Sequence, residues 1–206
     1  MHTQITVDLR QFPSELHRLV LDWYRWQEAT LRGIGRQLGG NPIPNATPEY
    51  SFWHANPPQM ADGELILDIG DIKYYLSIEP TGVSITKRER NTRTPVAHLQ
   101  RMDDAKKYLL CVMGDAAWTT DFANSPSSRW YDQGVAAGVH LEPVNPDAEF
   151  SDQFLFVADE GDPRATMRTM DATWFSHPLL QAYEQVDAKY RESLPSNRFT
   201  IDVVPA

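Results

Sequence analysis

Between Leu65 and Ile85 apolar residues recur at every second position, interrupted only where turn-forming residues intervene. Leu65, Leu67 and Ile69 lead into Gly70-Asp71. Ile72, Tyr74, Leu76 and Ile78 lead into Pro80-Thr81-Gly82, after which Val83 and Ile85 resume the pattern. A period of two sends alternate side chains to opposite faces of a strand, so this stretch reads as a β-meander with one buried face. Pro80-Thr81-Gly82 suits a type I turn closed by a glycine. Such a sheet needs apolar cover, and the rest of the chain offers helices.

Residues 14–38 place Leu16, Leu19, Val20, Trp23, Trp26, Leu31, Ile34 and Leu38 at helical steps, with Ser14 as cap and Gly39-Gly40 as stop. A second helix is predicted over 103–113, capped by Asp103 or Asp104 and ended by Gly114. A third is predicted from Ser176 to about Leu194, with Pro178 in its first turn. Short strands are predicted at 153–158, 164–169 and 199–203. Two stretches resist assignment: a proline-rich loop at 40–63 carrying Tyr50-Ser-Phe52-Trp53, and an irregular segment at 115–150. The expectation is a single α+β domain over 1–206, a mostly antiparallel sheet of meanders and hairpins packed with about three helices.

Composition narrows the function. Of 206 residues, 41% are hydrophobic, which is enough for a globular core. No apolar run approaches the roughly 20 residues that cross a bilayer as a helix. The first residues have neither the basic start nor the apolar stretch of a secretion leader. The lone cysteine, Cys111, excludes an internal disulfide and fits a reducing compartment, so a cytoplasmic location is expected. A net charge of −9 argues against general nucleic-acid binding. That charge is uneven, because residues 87–107 carry seven bases and three acids whereas 142–162 hold seven carboxylates and no base. The basic run Thr86-Lys-Arg-Glu-Arg90 is therefore expected to be neutralised internally by the 142–162 carboxylates, leaving an acidic face for a partner. Reversing Arg88 and Arg90 to Glu is accordingly expected to lower stability more than partner affinity.

Tests for chemistry return little. The six histidines are scattered without metal-pair spacing, and one cysteine cannot build a structural zinc site. No nucleophile elbow, phosphate-binding loop or dinucleotide fingerprint occurs, so no cofactor is expected. Glu64, Asp68, Asp71 and Lys73 form an acid-and-lysine group on one hairpin, the residue types of a magnesium-dependent hydrolase. Asp and Gly are also what a turn requires there. Phe52, Trp53, Trp130 and Tyr131 lie in polar loops, where aromatic side chains serve either as loop anchors or as contact residues.

The run from Gly70 to Trp118 resembles a known family. Tyr74 and Tyr75 on an aromatic strand, Thr86-x-Arg88-x-Arg90 ending the return strand, and Tyr108-Leu109-x-x-Val112-x-Gly114-Asp115 on a helix are similar to the immunity-protein family of the tuberculosis necrotizing toxin's immunity factor. The resemblance covers about a quarter of the chain. It implies a cytoplasmic, non-catalytic antitoxin that binds one cognate secreted NAD glycohydrolase toxin domain, one to one, and obstructs its NAD pocket. It does not place the binding surface. Asp121, Phe122, Trp130, Tyr131 and Asp132 combine carboxylates with aromatics and are the expected contact residues, with Phe52 and Trp53 second. The alternatives are a secretion chaperone or adaptor, for which an exposed apolar groove would speak, and the metal-dependent hydrolase.

Overall fold

The computed structural model describes residues 3–33, 56–69, 72–118 and 121–206. Ile34, Leu38, the glycine stop at 39–40, Phe52, Trp53 and the Gly70-Asp71 turn lie outside the described residues. The fold is α+β, dominated by an eight-stranded antiparallel sheet. Its strands are β2 (Gln59–Ala61), β3 (Glu64–Ile69), β4 (Ile72–Glu79), β5 (Gly82–Glu89), β6 (Thr92–Leu99), β7 (Val139–Pro143), β8 (Gln153–Val157) and β9 (Ala165–Met167), in the order β2-β3-β4-β5-β6-β9-β8-β7. A separate parallel pair joins β1 (Thr3–Val7) to β10 (Ile201–Pro205). Among the described residues there are five α-helices: α1 (His17–Gly33), α2 (Met102–Ala116), α3 (Pro126–Gln133), α4 (Thr169–Leu179) and α5 (Tyr183–Glu192).

The meander forms where alternation places it, and Leu65, Leu67, Leu76, Val83 and Ile85 all point into the core. Its register is continuous, with Leu76 opposite Leu65 on one side and Ile85 on the other. Four strands lie outside the sequence expectation: β1, β2, β6 and β7. β2 extends the sheet through a two-residue Asp62-Gly63 hairpin, and both residues have positive φ, at 53° and 80°. That geometry favours Asp-Gly, so the former loop 40–63 ends in a hairpin. β6 carries Pro95, which removes a ladder donor and reads as a break. A bulge between Ile85 and Thr86 absorbs it, setting Pro95 opposite Thr86 and returning Ala97 to the core opposite Ile85.

The helices differ from expectation at their ends. α1 buries Leu19, Val20, Trp23 and Trp26 completely along its expected stripe, and Leu16, in the 3-10 turn before it, is buried as well. α2 passes straight through Gly114. A Cβ at that position would lie 2.4 Å from the Tyr190 ring, so the glycine is a packing notch for α5 and ends nothing. Asp103 and Asp104 lie in the first turn of α2, and Arg101 is its N-cap residue. The expected helix 176–194 is two helices, with Pro178 in the last turn of α4 rather than the first turn of a longer helix. Lys107 of α2 donates to the carbonyls of Leu179 and Gln181 at 3.1 Å each, satisfying orphan acceptors where α4 stops. The segment read as irregular contains α3 and β7. Ser125 caps α3 by accepting from the Ser128 amide at 3.2 Å, with Pro126 next in line.

One continuous apolar cluster runs from Val7 to Val203. Buried charges tie its layers together. Asp22 on α1 pairs with Arg25 at 2.7 Å and accepts from the Tyr183 hydroxyl at 2.8 Å, joining α1 to α5. Asp104 pairs with Lys107 and Arg164, both at 2.8 Å, joining α2 to the turn before β9.

Candidate partner-binding groove

The inner face of the sheet and the helices do not close completely. An open groove of about 770 Å³ lies between β4, β5, β6, α2 and the start of α4. On α2, Tyr108, Val112 and Asp115 line it because steps of four and three keep them on one helix face. On β4, Ile72 and Tyr74 line it because alternation gives them the same side of the sheet. Three large apolar side chains stand at its mouth with unusual exposure: Phe122 at 57%, Phe150 at 89% and Met170 at 67%. A lone exposed hydrophobe is ordinary; three converging on a concavity make it the candidate contact surface.

The floor is aromatic and acidic. Asp171 accepts from the Tyr108 hydroxyl at 3.2 Å and the Trp174 indole N–H at 3.3 Å, and Tyr108 stacks on Trp174 with ring centres 5.6 Å apart. Burial raises the Asp171 carboxyl above its ordinary range, against those hydrogen bonds and the nearby charges of Arg168 and Lys87. Burial likewise pushes the Tyr74 and Tyr108 phenols upward, so both remain protonated at neutral pH. Asp115 accepts from the Tyr190 hydroxyl at 2.9 Å, and burial outweighs its hydrogen bonds, pushing it up to about 7.

The expected contact residues divide. Phe122 lines the groove, and Asp121 is exposed beside it. Tyr131 is 45% exposed and Asp132 is exposed, but neither lines the groove. Trp130 is 1% exposed and belongs to the core, with its ring stacked on His177 at 6.2 Å and edge-on to Tyr190 at 5.9 Å. It anchors α3 to α4 and is not presented to a partner. Phe52 and Trp53 lie outside the described residues. Phe150 and Met170 are absent from the expected contact residues, because an isolated exposed hydrophobe carries no periodic signature, and Asp115 enters the sequence reading only as a position of the family resemblance.

The basic run resolves differently from expectation. Lys87 faces the groove while Arg88 faces the opposite side. On that outer face Arg88 sits between Lys73 and Arg93, its partners in the two adjoining strands. Arg93 bonds Glu64 Oε2 at 2.9 Å and Thr86 Oγ1 at 2.7 Å, and lies 4.1 Å from the centre of the Tyr75 ring. Among the described residues no ion pair reaches Arg88 or Arg90, both of which are exposed. From 142–162 only Glu160 reaches the basic segment, pairing with Arg101 at 3.1 Å. The internal-neutralisation expectation is therefore corrected: β3, β5 and α2 supply most of the partners.

The acid-and-lysine hairpin is likewise occupied by structure. Lys73 pairs with Asp68 at 3.1 Å and Glu64 with Arg93, while Asp71 lies outside the described residues. Among the described residues no three His, Cys, Asp or Glu side chains group to hold a metal ion. Ser84 and His98 approach to 3.1 Å because they are register partners on β5 and β6. Cys111 is buried, and burial drives its thiol well up, leaving a small apolar side chain rather than a thiolate. No helix among the described residues is long and apolar enough to cross a membrane.

No family model and no curated protein matches this sequence. One solved structure is similar in fold: Rv3902c from M. tuberculosis, at 17% sequence identity and a TM-score of 0.56, with 95% of this chain and 98% of that chain covered. At that identity the likeness concerns the arrangement of the backbone.

Proposed function

We propose that the chain is an immunity protein: a non-catalytic antitoxin that binds one cognate NAD glycohydrolase toxin domain in the bacterial cytoplasm and obstructs its active site. The observation that carries this reading is the groove, with Phe122, Phe150 and Met170 held exposed around an aromatic and acidic floor. Burying each such side chain against a partner is worth about 1.5–3 kcal/mol, before the cost of association. The sequence resemblance between Gly70 and Trp118 supports the same reading. A net charge of −9 suits a toxin pocket built for an anionic dinucleotide, which is usually positive.

The groove also favours a second reading, a secretion chaperone that holds an apolar segment of its client. Co-expression with the proposed cognate NAD glycohydrolase toxin domain separates the two. An antitoxin co-purifies with that domain as a stable equimolar complex. A chaperone leaves the folded toxin domain unbound and retains a secreted client instead.

A further inference from the structure

The carboxylates of the groove are not equivalent. Asp171 has Arg168 and Lys87 near it, whereas the largest influences on Asp115 are burial and the neutral donors Ser127, Tyr190 and Ser125. Around Asp115 stand Ser125 and Ser127 of α3, Tyr190 of α5 and, one turn earlier on α2, Cys111. Asp171, Tyr74 and Tyr108 share the groove with it; burial raises all three, and the two phenols stay protonated at neutral pH. Asp115 also sits in the last turn of α2, where the helix dipole is negative and disfavours a carboxylate. A carboxylate in that position lacks a counter-ion that a ligand can bring, and the surrounding wall is apolar.

We propose that the groove takes a short apolar segment of a partner protein that carries a lysine or arginine, with its apolar side chains against Phe122, Phe150 and Met170 and its cation paired to Asp115. This rests on the groove being the partner-binding surface. A second copy of this chain is a poor occupant, since it brings another charge of −9, while a segment with a cation matches both the local carboxylate and the overall charge.

The test uses the full chain and a displayed library of random short peptides, selected at about pH 8, where a carboxyl titrating near 7 is ionised. Enrichment should couple Lys or Arg with an aromatic or large aliphatic residue. A synthetic winner should bind the Asp115→Asn variant about tenfold more weakly, the scale of one charge-assisted contact. The variant should keep the apolar preference and lose the basic one. Asparagine retains an oxygen for the Tyr190 hydroxyl, and a melting temperature no lower than the parent's confirms the fold. If that variant fails to fold, calorimetry on the unmodified chain decides instead. Winner binding near neutral pH, measured in two buffers of different ionisation heat, should release a proton as the cation draws Asp115 into its charged form. Acidic or uncharged winners overturn the proposal, as do absent proton release or an Asp115→Asn selection identical to the parent. Absence of any enrichment overturns it too. A cognate toxin that ignores the chain would remove the immunity reading and leave this result standing; a toxin bound through another face would do the reverse.

Discussion

At the residue scale, Gly114 and Asp115 are neighbours with opposite constraints. Gly114 must have no side chain, because the Tyr190 ring fills the notch and Tyr190 is held by hydroxyl contacts to Asp115 and Ser127. Gly114→Ala is expected to destabilise the chain by about 1–3 kcal/mol, as overpacking does, despite alanine's better helix propensity. Urea unfolding checks this; a stabilised variant would show the notch to be slack. Asp115 has the reverse sensitivity, to pH. Its folded pKa, about 7, exceeds the ordinary value of 3.8, so the folded state retains a proton that the unfolded chain releases. Its stabilising contribution is full below about pH 4, declines as pH rises, and levels off above about 7. The stability of the parent minus that of Asp115→Asn should therefore fall across that window, measured by denaturant titrations at several pH values. A flat difference would place Asp115 in water.

At the element scale, the β5–β6 hairpin carries the basic run that looked like an internally neutralised flank. Arg88 faces Lys73 and Arg93 across both neighbouring strands, and those two already have carboxylates. Arg88→Glu is expected to leave stability unchanged or raise it by about 0.5 kcal/mol, since like charges directly opposite are unfavourable. A loss above about 1 kcal/mol, the mark of a broken structural contact, would contradict that. The same hairpin shows what the sequence makes legible. Strict alternation in β3, β4 and β5 announces itself, and so does the α1 stripe ending in Trp23 and Trp26. β6 was hidden because its register depends on a bulge set by its neighbour, and β1 because its partner lies at the far end of the chain. The division between α4 and α5 was hidden because the carbonyls at the stop are met by Lys107, a residue some 70 positions away. Of the expected contact residues, only Phe122 lines the groove, legible as an aromatic among polar residues. The same signal pointed to Trp130, where a serine-capped helix turns the ring inward onto His177 and Tyr190.

At the scale of the whole molecule, tertiary ties leave one inner face incompletely covered. Asp22 fastens α1 to α5 and Asp104 fastens α2 to the turn before β9, both as buried ions with several partners. Removing either carboxylate strands buried cations or hydroxyls, and Asp104→Ala is expected to cost about 3–5 kcal/mol in thermal or denaturant unfolding. A smaller loss would mean that Lys107 and Arg164 find other partners. The groove lies within this frame, so substitutions at its exposed mouth should change partner binding without unfolding the chain. The central claim is that this surface captures and silences another protein, and one titration tests it most directly. Purified chain is added to the proposed cognate NAD glycohydrolase toxin domain while NAD consumption is followed, with a Phe122→Ala, Met170→Glu double variant run in parallel. The account predicts that hydrolysis stops at one chain per toxin and that the well-folded double variant needs a large excess to do the same. Undiminished NAD consumption at saturating excess, or equal protection by the variant, would contradict it.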